Sequence, residues 1–261
     1  MKTSVSKPIE LENAITSFWS TGASGASILS LEYAVQLSRL GRRTLLIDLD
    51  LVDPSLMVFL AIDNYPSGLQ AGLRLATQSR LDATNLEQLV VQSEDHKQLQ
   101  LMAGMPVQGR FNAVEDGAIT ALLVQLANWY DEIVLDLGKL YSKAINQKLF
   151  ELQSEAIDAS EKSYGVFRAD PEGITKLFWN EFDSDLLANL YRAGSLGAGG
   201  RKALKTVIQE NTGSPLLEII EEDDNLTSAI AKGMSVGGVS KKSPICIAIK
   251  NLIQTRVDSN H

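Results

Sequence analysis

The chain has 261 residues, of which 44% are hydrophobic and 21% charged, as is ordinary for soluble globular proteins. Its formal net charge of −8 argues against broad nucleic-acid binding, because such binding requires a basic surface. The one cysteine, Cys246, has no disulfide partner in the chain, and we expect a buried thiol in a reducing cytoplasm. The N-terminus shows no signal-peptide pattern, and no apolar run reaches the roughly 18 residues that would span a bilayer.

The first half of the chain begins with a strand–turn–helix–strand pattern. We expect residues 1–13 to be a flexible segment and residues 14–261 to form one domain. Residues 14–20 predict a buried strand, and a Gly/Ser-rich turn leads into a helix over about residues 27–40. Residues 44–49 are nearly all apolar, which is typical of a strand covered on both faces. Such a unit predicts a parallel sheet with a right-handed crossover.

The alternation of strands and helices continues to the end of the chain. Helices are predicted at 69–76, 85–91, 119–129, 171–180, 201–211, 225–232 and 243–257. Strands are predicted at 99–102, 132–136, 163–168, 185–191 and 216–220, and a glycine-rich loop at 193–200. No linker or repeat interrupts this order. We therefore predict an α/β fold with a doubly wound, mostly parallel sheet and helices on both faces.

The turn after the first strand has the form of a phosphate-binding loop that has lost its charge. Aligned with the motif G-x-x-x-x-G-K-[ST], the segment Ser20-Thr-Gly-Ala-Ser-Gly-Ala-Ser27 keeps the second glycine as Gly25 and the metal-binding hydroxyl as Ser27. Ser20 replaces the first glycine, and Ala26 replaces the lysine. The backbone N–H groups and the start of the helix can still hold an anion.

Two later strand ends add to this pattern, Leu46-Ile-Asp-Leu-Asp50 and Leu135-Asp-Leu-Gly138. With the loop, they resemble the ParA/MinD superfamily of ATPases with a deviant Walker A motif. That family combines K-G-G-x-G-K-[ST], an L-x-D-x-D second strand and a later Walker B strand ending in aspartate. Its two lysines fall on Thr21 and Ala26, so both are absent here.

The order of further segments resembles one branch of that superfamily, the CpaE/TadZ pilus-assembly localisation proteins. The resemblance extends over about residues 14–253 and depends on order and spacing more than on any single motif. The segments that resemble this branch are Asp48–Leu56, Phe59-Leu60, Pro66–Leu69 and Leu99–Gly104. The later segments Gly213–Glu218, Asp223-Asp224 and Ala229–Gly233 resemble the late strand and following segment of the superfamily as a whole.

The resemblance implies a P-loop NTPase fold of the MinD/ParA type and a set of site residues. The expected ligand is ATP or ADP with Mg²⁺, bound weakly or not at all. Asn189 falls where the family often has a base-contacting asparagine, and Ser27 and Asp136 would hold the metal. Asp50 would orient the attacking water, with Asp48 as the alternative. The loop residues expected to hold the phosphates are Gly22, Ala23, Ser24, Gly25, Ala26, Ser27 and Ile28.

The absent lysines predict weak binding and poor or absent hydrolysis. A hydrogen bond to a charged group contributes roughly 1.5–3 kcal/mol, so losing two removes about 3–6 kcal/mol, or roughly 10²–10⁴ in affinity. Lysine also stabilises the charge that develops during phosphoryl transfer. We expect four carboxylates to converge on the loop without a compensating cation, those of Asp48, Asp50, Asp53 and Asp136. Arg42 and Arg43 precede the second strand and are expected at its opposite end.

By this resemblance, the chain is expected to be a positioning scaffold for a pilus, secretion or division machine. Family members dimerise across the nucleotide, so a homodimer is expected, and without the signature lysine its formation is expected to be independent of nucleotide. Protein partners of the assembly machine are expected, nucleic acid is not, and membrane association would be indirect or weak. The expected location is the cytoplasm, concentrated at a pole or septum.

Three alternatives stay open at this stage. The first is an active Mg²⁺-ATPase that uses a substitute cation from elsewhere in the chain or from a partner. The second is an NAD(P)-binding Rossmann oxidoreductase, since Thr21–Gly25 is similar to the turn of short-chain dehydrogenases and Asp48 could accept a ribose hydroxyl. That family needs a lysine four residues after a tyrosine, and none of the six tyrosines here has one. The third is a tight βα connection whose glycines serve backbone geometry alone.

Overall fold

The computed structural model describes residues 14–66, 68–105, 110–179, 183–194, 196 and 199–259. The segment 1–13, expected to be flexible, lies outside the described residues, as do Ser195, Gly197 and Ala198 of the predicted loop. The strands are β1 (Ala14–Ser20), β2 (Thr44–Asp48), β3 (Val91–Gln92), β4 (Leu99–Met102), β5 (Glu132–Lys139), β6 (Lys162–Arg168), β7 (Asp185–Tyr191) and β8 (Leu216–Glu221).

Helices connect nearly all of these strands. They are α1 (Ala26–Arg39), α2 (Leu56–Phe59), α3 (Gly68–Thr77), α4 (Ala83–Glu87), α5 (Ala118–Leu126), α6 (Gln147–Asp158), α7 (Pro171–Leu177), α8 (Gly200–Thr212), α9 (Leu226–Ala231), α10 (Val236–Val239) and α11 (Pro244–Ser259). A 3₁₀ turn spans Arg110–Ala113.

The strands form one sheet in the order β3-β4-β2-β5-β1-β6-β7-β8. Every neighbouring pair is parallel except β3 and β4, which are antiparallel at the edge. Because the parallel strands share one direction, their carboxyl ends meet along one edge of the sheet, as the doubly wound prediction requires.

The strands alternate their side chains between two cores, one on each face. In β2, Leu45 and Ile47 belong to one core, whereas Leu46 belongs to the other. The first core contains residues of α3 to α8, and the second contains residues of α1, α2 and α9 to α11. Both faces are therefore covered, which explains why the strands are almost continuously apolar.

The structure corrects the bounds of two predicted elements and adds helices that were not predicted, α2, α6 and α10. The predicted helix 85–91 is wrong at its end: α4 stops at Glu87, and Val91 pairs with Leu101 in the edge strand β3. Strand β5 continues to Lys139, three residues past the predicted end. Helix α6 was not predicted, although Asn146 caps it by accepting a hydrogen bond from Leu149 N at 3.0 Å. Its apolar residues are sparse in a largely polar segment, so the helical period is weak.

The terminal helix α11 packs into the second core instead of lying apart. Ile249 and Leu252 are 0% and 3% exposed, and Arg256 is 4% exposed. The Arg256 guanidinium donates to Glu132 Oε2 at 2.9 Å, which ties the helix to the start of β5. Across the described part of the chain, none of the helices combines the length and apolar composition that crossing a bilayer requires.

Candidate functional site

The loop after β1 turns sharply because several of its residues have positive φ. Gly22, Ala23 and Gly25 have φ of 107°, 48° and 81°. Glycine adopts such angles without steric cost, so Gly22 and Gly25 suit the turn. Gly25 directly precedes α1, and its carbonyl accepts hydrogen bonds from Ile28 N and Leu29 N at 3.1 Å. The N–H groups that precede these at the start of a helix have no partner within it. They and the helix dipole favour an anion at this end.

Two side-chain hydrogen bonds fix the loop to the neighbouring strands. Ser24 Oγ donates to Val166 O of β6 at 2.9 Å. Asn189 Nδ2, from the end of β7, donates to Ser24 O at 2.8 Å. Since Ser24 and Asn189 are 1% and 2% exposed, these bonds are shielded from water and hold the loop in one conformation.

Asn189 lies buried beside the loop, and a contact with a base stays a prediction. Leu190 has φ of 58°, and the pairing of β7 with β8 is irregular between Ala188 and Tyr191. This irregular strand end places the Asn189 amide against Ser24. Asn189 Oδ1 has no hydrogen-bond partner among the described residues.

The loop side chains divide into two groups. Ala26 and Ile28 are 3% and 7% exposed and belong to the core under α1, so that only their backbone atoms can reach a ligand. Ala23 is exposed, and Ser27 is partly exposed. Among these loop residues, Ser27 offers a side-chain oxygen near Asp136. Its hydroxyl lowers the pKa of the Asp136 carboxyl, against the larger raising effect of burial.

Asp48 and Asp136 end two adjacent strands and are register partners in the β2–β5 pair. Burial raises the pKa of both carboxyls, to about 7 for Asp136 and well above its ordinary value for Asp48. The charge of Asp136 adds to the rise at Asp48, and the charge of Asp50 adds to the rise at Asp136, since like charges repel in a medium of low dielectric. Asp48 Oδ2 accepts a hydrogen bond from Leu56 N at 2.9 Å. Asp136 Oδ2 has no hydrogen-bond partner among the described residues.

Asp50 lies against the end of β5. Its Oδ1 accepts hydrogen bonds from Val52 N at 3.0 Å and Asp53 N at 2.9 Å. Its carboxylate occupies the space that a Cβ atom of Gly138 would need, so glycine is required there. Burial raises the pKa of Asp50. The structure thus brings the predicted acidic residues to the sheet edge that carries the loop, while the catalytic role of Asp50 stays a prediction.

Lys139 was missed by the sequence reasoning, yet its side chain lies over the loop. A Cβ atom at Gly22 would lie 3.7 Å from Lys139 Cδ and 3.9 Å from Lys139 Cε. The two residues meet because Lys139 pairs with Ser20 at the end of β1. The available signal was its position three residues after Asp136, just beyond a predicted strand that ends at the site. In contrast, Arg42 and Arg43 bind Glu132 and Asp131 at the start of β5, the opposite end, as predicted.

Comparison with known proteins identifies the fold. The sequence matches no protein-family model and no curated protein. The structure is similar to a ParA family ATPase from Chlorobium tepidum TLS, with 17% identity, a TM-score of 0.74, and coverage of 92% of this chain and 98% of that one.

Two further solved structures have the same fold. One is the septum site-determining protein MinD of Pyrococcus horikoshii OT3 in complex with Mg-ADP, with 17% identity, a TM-score of 0.69, and coverage of 92% and 93% of the two chains. The other is the MinC:MinD cell division complex of Aquifex aeolicus, with 16% identity, a TM-score of 0.70, and coverage of 92% and 96%. The chain therefore has the ParA/MinD type of P-loop NTPase fold, which confirms the predicted fold class.

Proposed function

We propose that this chain is a positioning protein of the ParA/MinD type whose loop binds ATP or ADP with Mg²⁺ weakly and hydrolyses ATP poorly. One observation carries the proposal: the loop keeps the bends at Gly22 and Gly25 and its anchors on β6 and β7, but has Thr21 and Ala26 at the two lysine positions. The loop thus keeps a backbone shape suited to phosphate, whereas the two lysines that would drive hydrolysis are absent from it.

The Ser27 hydroxyl and the Asp136 carboxylate support a magnesium site. Both offer hard oxygen ligands, which Mg²⁺ prefers. Asp136 Oδ2 is buried and has no hydrogen-bond partner among the described residues, so a ligand there would satisfy an atom that is otherwise costly to bury. Mg²⁺ would also neutralise charge between this aspartate and a phosphate.

The assembly role is proposed from the fold and from the CpaE/TadZ-like order of segments in the sequence. The protein would act as a homodimer that marks a pole or septum and recruits a pilus, secretion or division machine. The Aquifex aeolicus MinD structure contains MinC, so a protein of this fold does bind a protein partner. Light scattering tests the dimer with and without ATP, and a monomer in both conditions would contradict it.

A second candidate function is an active ATPase, which Lys139 beside Gly22 favours by placing a cation at the loop. ATP turnover of the wild type and of Asp50→Ala separates the two candidates. We expect slow or undetectable turnover in both proteins. Rapid turnover that is lost in Asp50→Ala would reject the scaffold and establish an enzyme.

Ligand titration tests the nucleotide site itself. ATP, ADP and NADH are titrated separately into the protein with Mg²⁺ present. We expect weak binding of the two adenine nucleotides and none of NADH. Binding of NADH alone would favour an oxidoreductase, and binding of no ligand would leave the loop as a structural connection.

A further inference from the structure

We propose that Lys139 supplies the cation of the nucleotide site, with its ammonium group binding the phosphates in place of the lysines absent at Thr21 and Ala26. The inference rests on the proposed binding of nucleotide and names the residue that recognises its charge. The main expectation from the sequence was a loop without a compensating cation, and Lys139 identifies the substitute cation that the first alternative left unnamed.

Lys139 lies where the strand that carries Asp136 ends beside the loop. Strand β5 runs three residues beyond Asp136, and its last residue, Lys139, is the register partner of Ser20, where β1 ends and the loop begins. Leu140 N donates to Ser20 O at 3.0 Å, which holds the two strand ends together. The aliphatic part of the Lys139 side chain contacts the loop at Gly22, beside Thr21, where the alignment places the signature lysine.

Lys139 combines a backbone held by hydrogen bonds with an exposed side chain. Gln153 of α6 is 3% exposed and donates from Nε2 to Lys139 O at 2.8 Å. Its Oε1 accepts a hydrogen bond from Tyr141 N at 3.0 Å. One buried amide side chain therefore binds the backbone on both sides of Leu140. The Lys139 ammonium lies 5.4 Å from the centroid of the Tyr141 ring, within the range of a cation–π contact.

Asp50 and Asp53 also lie at this end of the sheet, and a nearby cation would offset their repulsion of an anionic ligand. No carboxylate of the described residues is within ion-pairing distance of Lys139, in contrast to Arg42 and Arg43. The Lys139 ammonium therefore keeps its charge available for a ligand.

Two buried polar atoms, one in the loop and one on β5, lack a hydrogen-bond partner among the described residues. They are Thr21 Oγ1 and Asp136 Oδ2. Thr21 directly precedes Gly22, and Asp136 lies on the strand that ends at Lys139. A phosphate with its metal ion, bound between them, would satisfy both atoms and accept from the lysine.

Calorimetric titration with MgATP and with ADP tests the proposal on the wild type, Lys139→Gln, Lys139→Arg and Lys143→Gln. Lys143 is also exposed and lies four residues further along, so its variant controls for the loss of one positive charge nearby. We expect Lys139→Gln to weaken binding about 10- to 100-fold, the loss of one hydrogen bond to a charged group. Lys139→Arg should retain most of the affinity, and Lys143→Gln should bind like the wild type.

The outcomes separate this proposal from the one it rests on. If the wild type binds neither nucleotide, both the nucleotide site and the role of Lys139 are rejected. If the wild type binds nucleotide and Lys139→Gln binds it with equal affinity, only the role of Lys139 is rejected. Equal weakening in the Lys139 and Lys143 variants would also overturn it, because the effect would be one of general charge. Thermal unfolding of each variant confirms that the exposed substitutions leave the fold intact.

Discussion

Asp48 and Asp136 are register partners at the ends of two adjacent parallel strands, and they are only 1% and 0% exposed. Two carboxyl groups so placed cannot both ionise cheaply, because each is removed from water and each repels the charge of the other. The pair lies at the edge of the sheet that carries the loop. Its protonation therefore couples the stability of the fold to the chemistry of the site.

We expect Asp136→Asn to stabilise the protein at pH 8 in a chelating, nucleotide-free buffer. Burial raises the pKa of Asp136 to about 7, above the 3.8 of an ordinary aspartate. The folded state therefore binds this proton more tightly than the unfolded state, and the free energy of unfolding falls as pH rises from about 4 to about 7. Asparagine stays neutral and avoids this loss. Melting temperatures at pH 5 and pH 8 measure the effect. A change of about 1 kcal/mol in the free energy of unfolding shifts the melting temperature by about 2–4 °C.

The advantage of Asp136→Asn should shrink as pH is lowered toward 5, because the wild-type carboxyl then becomes neutral as well. Asp224→Asn, at an exposed position, is the control for removal of one charge. Equal melting temperatures of wild type and Asp136→Asn at pH 8 would show that burial does not raise this pKa.

We expect Gly25→Ala to destabilise the protein more than Gly41→Ala. Both glycines have similar positive φ, 81° and 85°, so alanine carries the same left-handed strain at each, about 1–2 kcal/mol. At Gly25 the added Cβ would also lie 2.8 Å from Asn189 Nδ2, whereas at Gly41 it would meet nothing within 4 Å. The displaced Asn189 leaves Ser24 O unsatisfied, which costs roughly 1–3 kcal/mol more.

Urea unfolding of the two glycine variants measures this difference directly, because the common strain cancels. A free energy of unfolding that is the same for both would mean that Asn189 moves aside without cost. In that case Asn189 would not be holding the loop.

We expect Arg256→Met to reduce the free energy of unfolding by about 1–3 kcal/mol, since the Glu132 carboxylate loses its most buried ionic partner and, of the described residues, keeps only Arg42. The Arg256 and Glu132 side chains are 3% and 1% exposed, and their ionic contact is 2.9 Å. Lys176→Met is the control, because Lys176 and Glu172 form an ion pair on the surface of α7. Such a pair contributes about 0.3–0.5 kcal/mol.

The double variant Arg256→Met/Glu132→Gln should be less destabilised than the sum of the single variants, because removing both charges leaves neither one isolated. Additive losses would indicate that Arg256 acts through its packing in the second core and not through the ion pair. Chemical denaturation of the four proteins completes this cycle.

The sequence by itself determined the layered fold and the form of the loop. The sequence shows apolar runs of strand length, helical spacing between them, and the turn with Gly22 and Gly25. These are local patterns, which a single sequence is sufficient to show. The same holds for the absence of lysine at Thr21 and Ala26. Even the position of Arg42 at the far end of the sheet followed from its place before β2.

Only the tertiary structure decided which side chains meet at the loop. Lys139 contacts Gly22 because β5 lies next to β1, an order that no local pattern of either strand contains. Asn189 reaches Ser24 from a strand 165 positions away, and Arg256 reaches Glu132 from the last helix. These contacts depend on strand order and strand ends, which are set by the packing of the whole sheet. The charge missing from the loop could therefore be read from the sequence, whereas the lysine beside it could not.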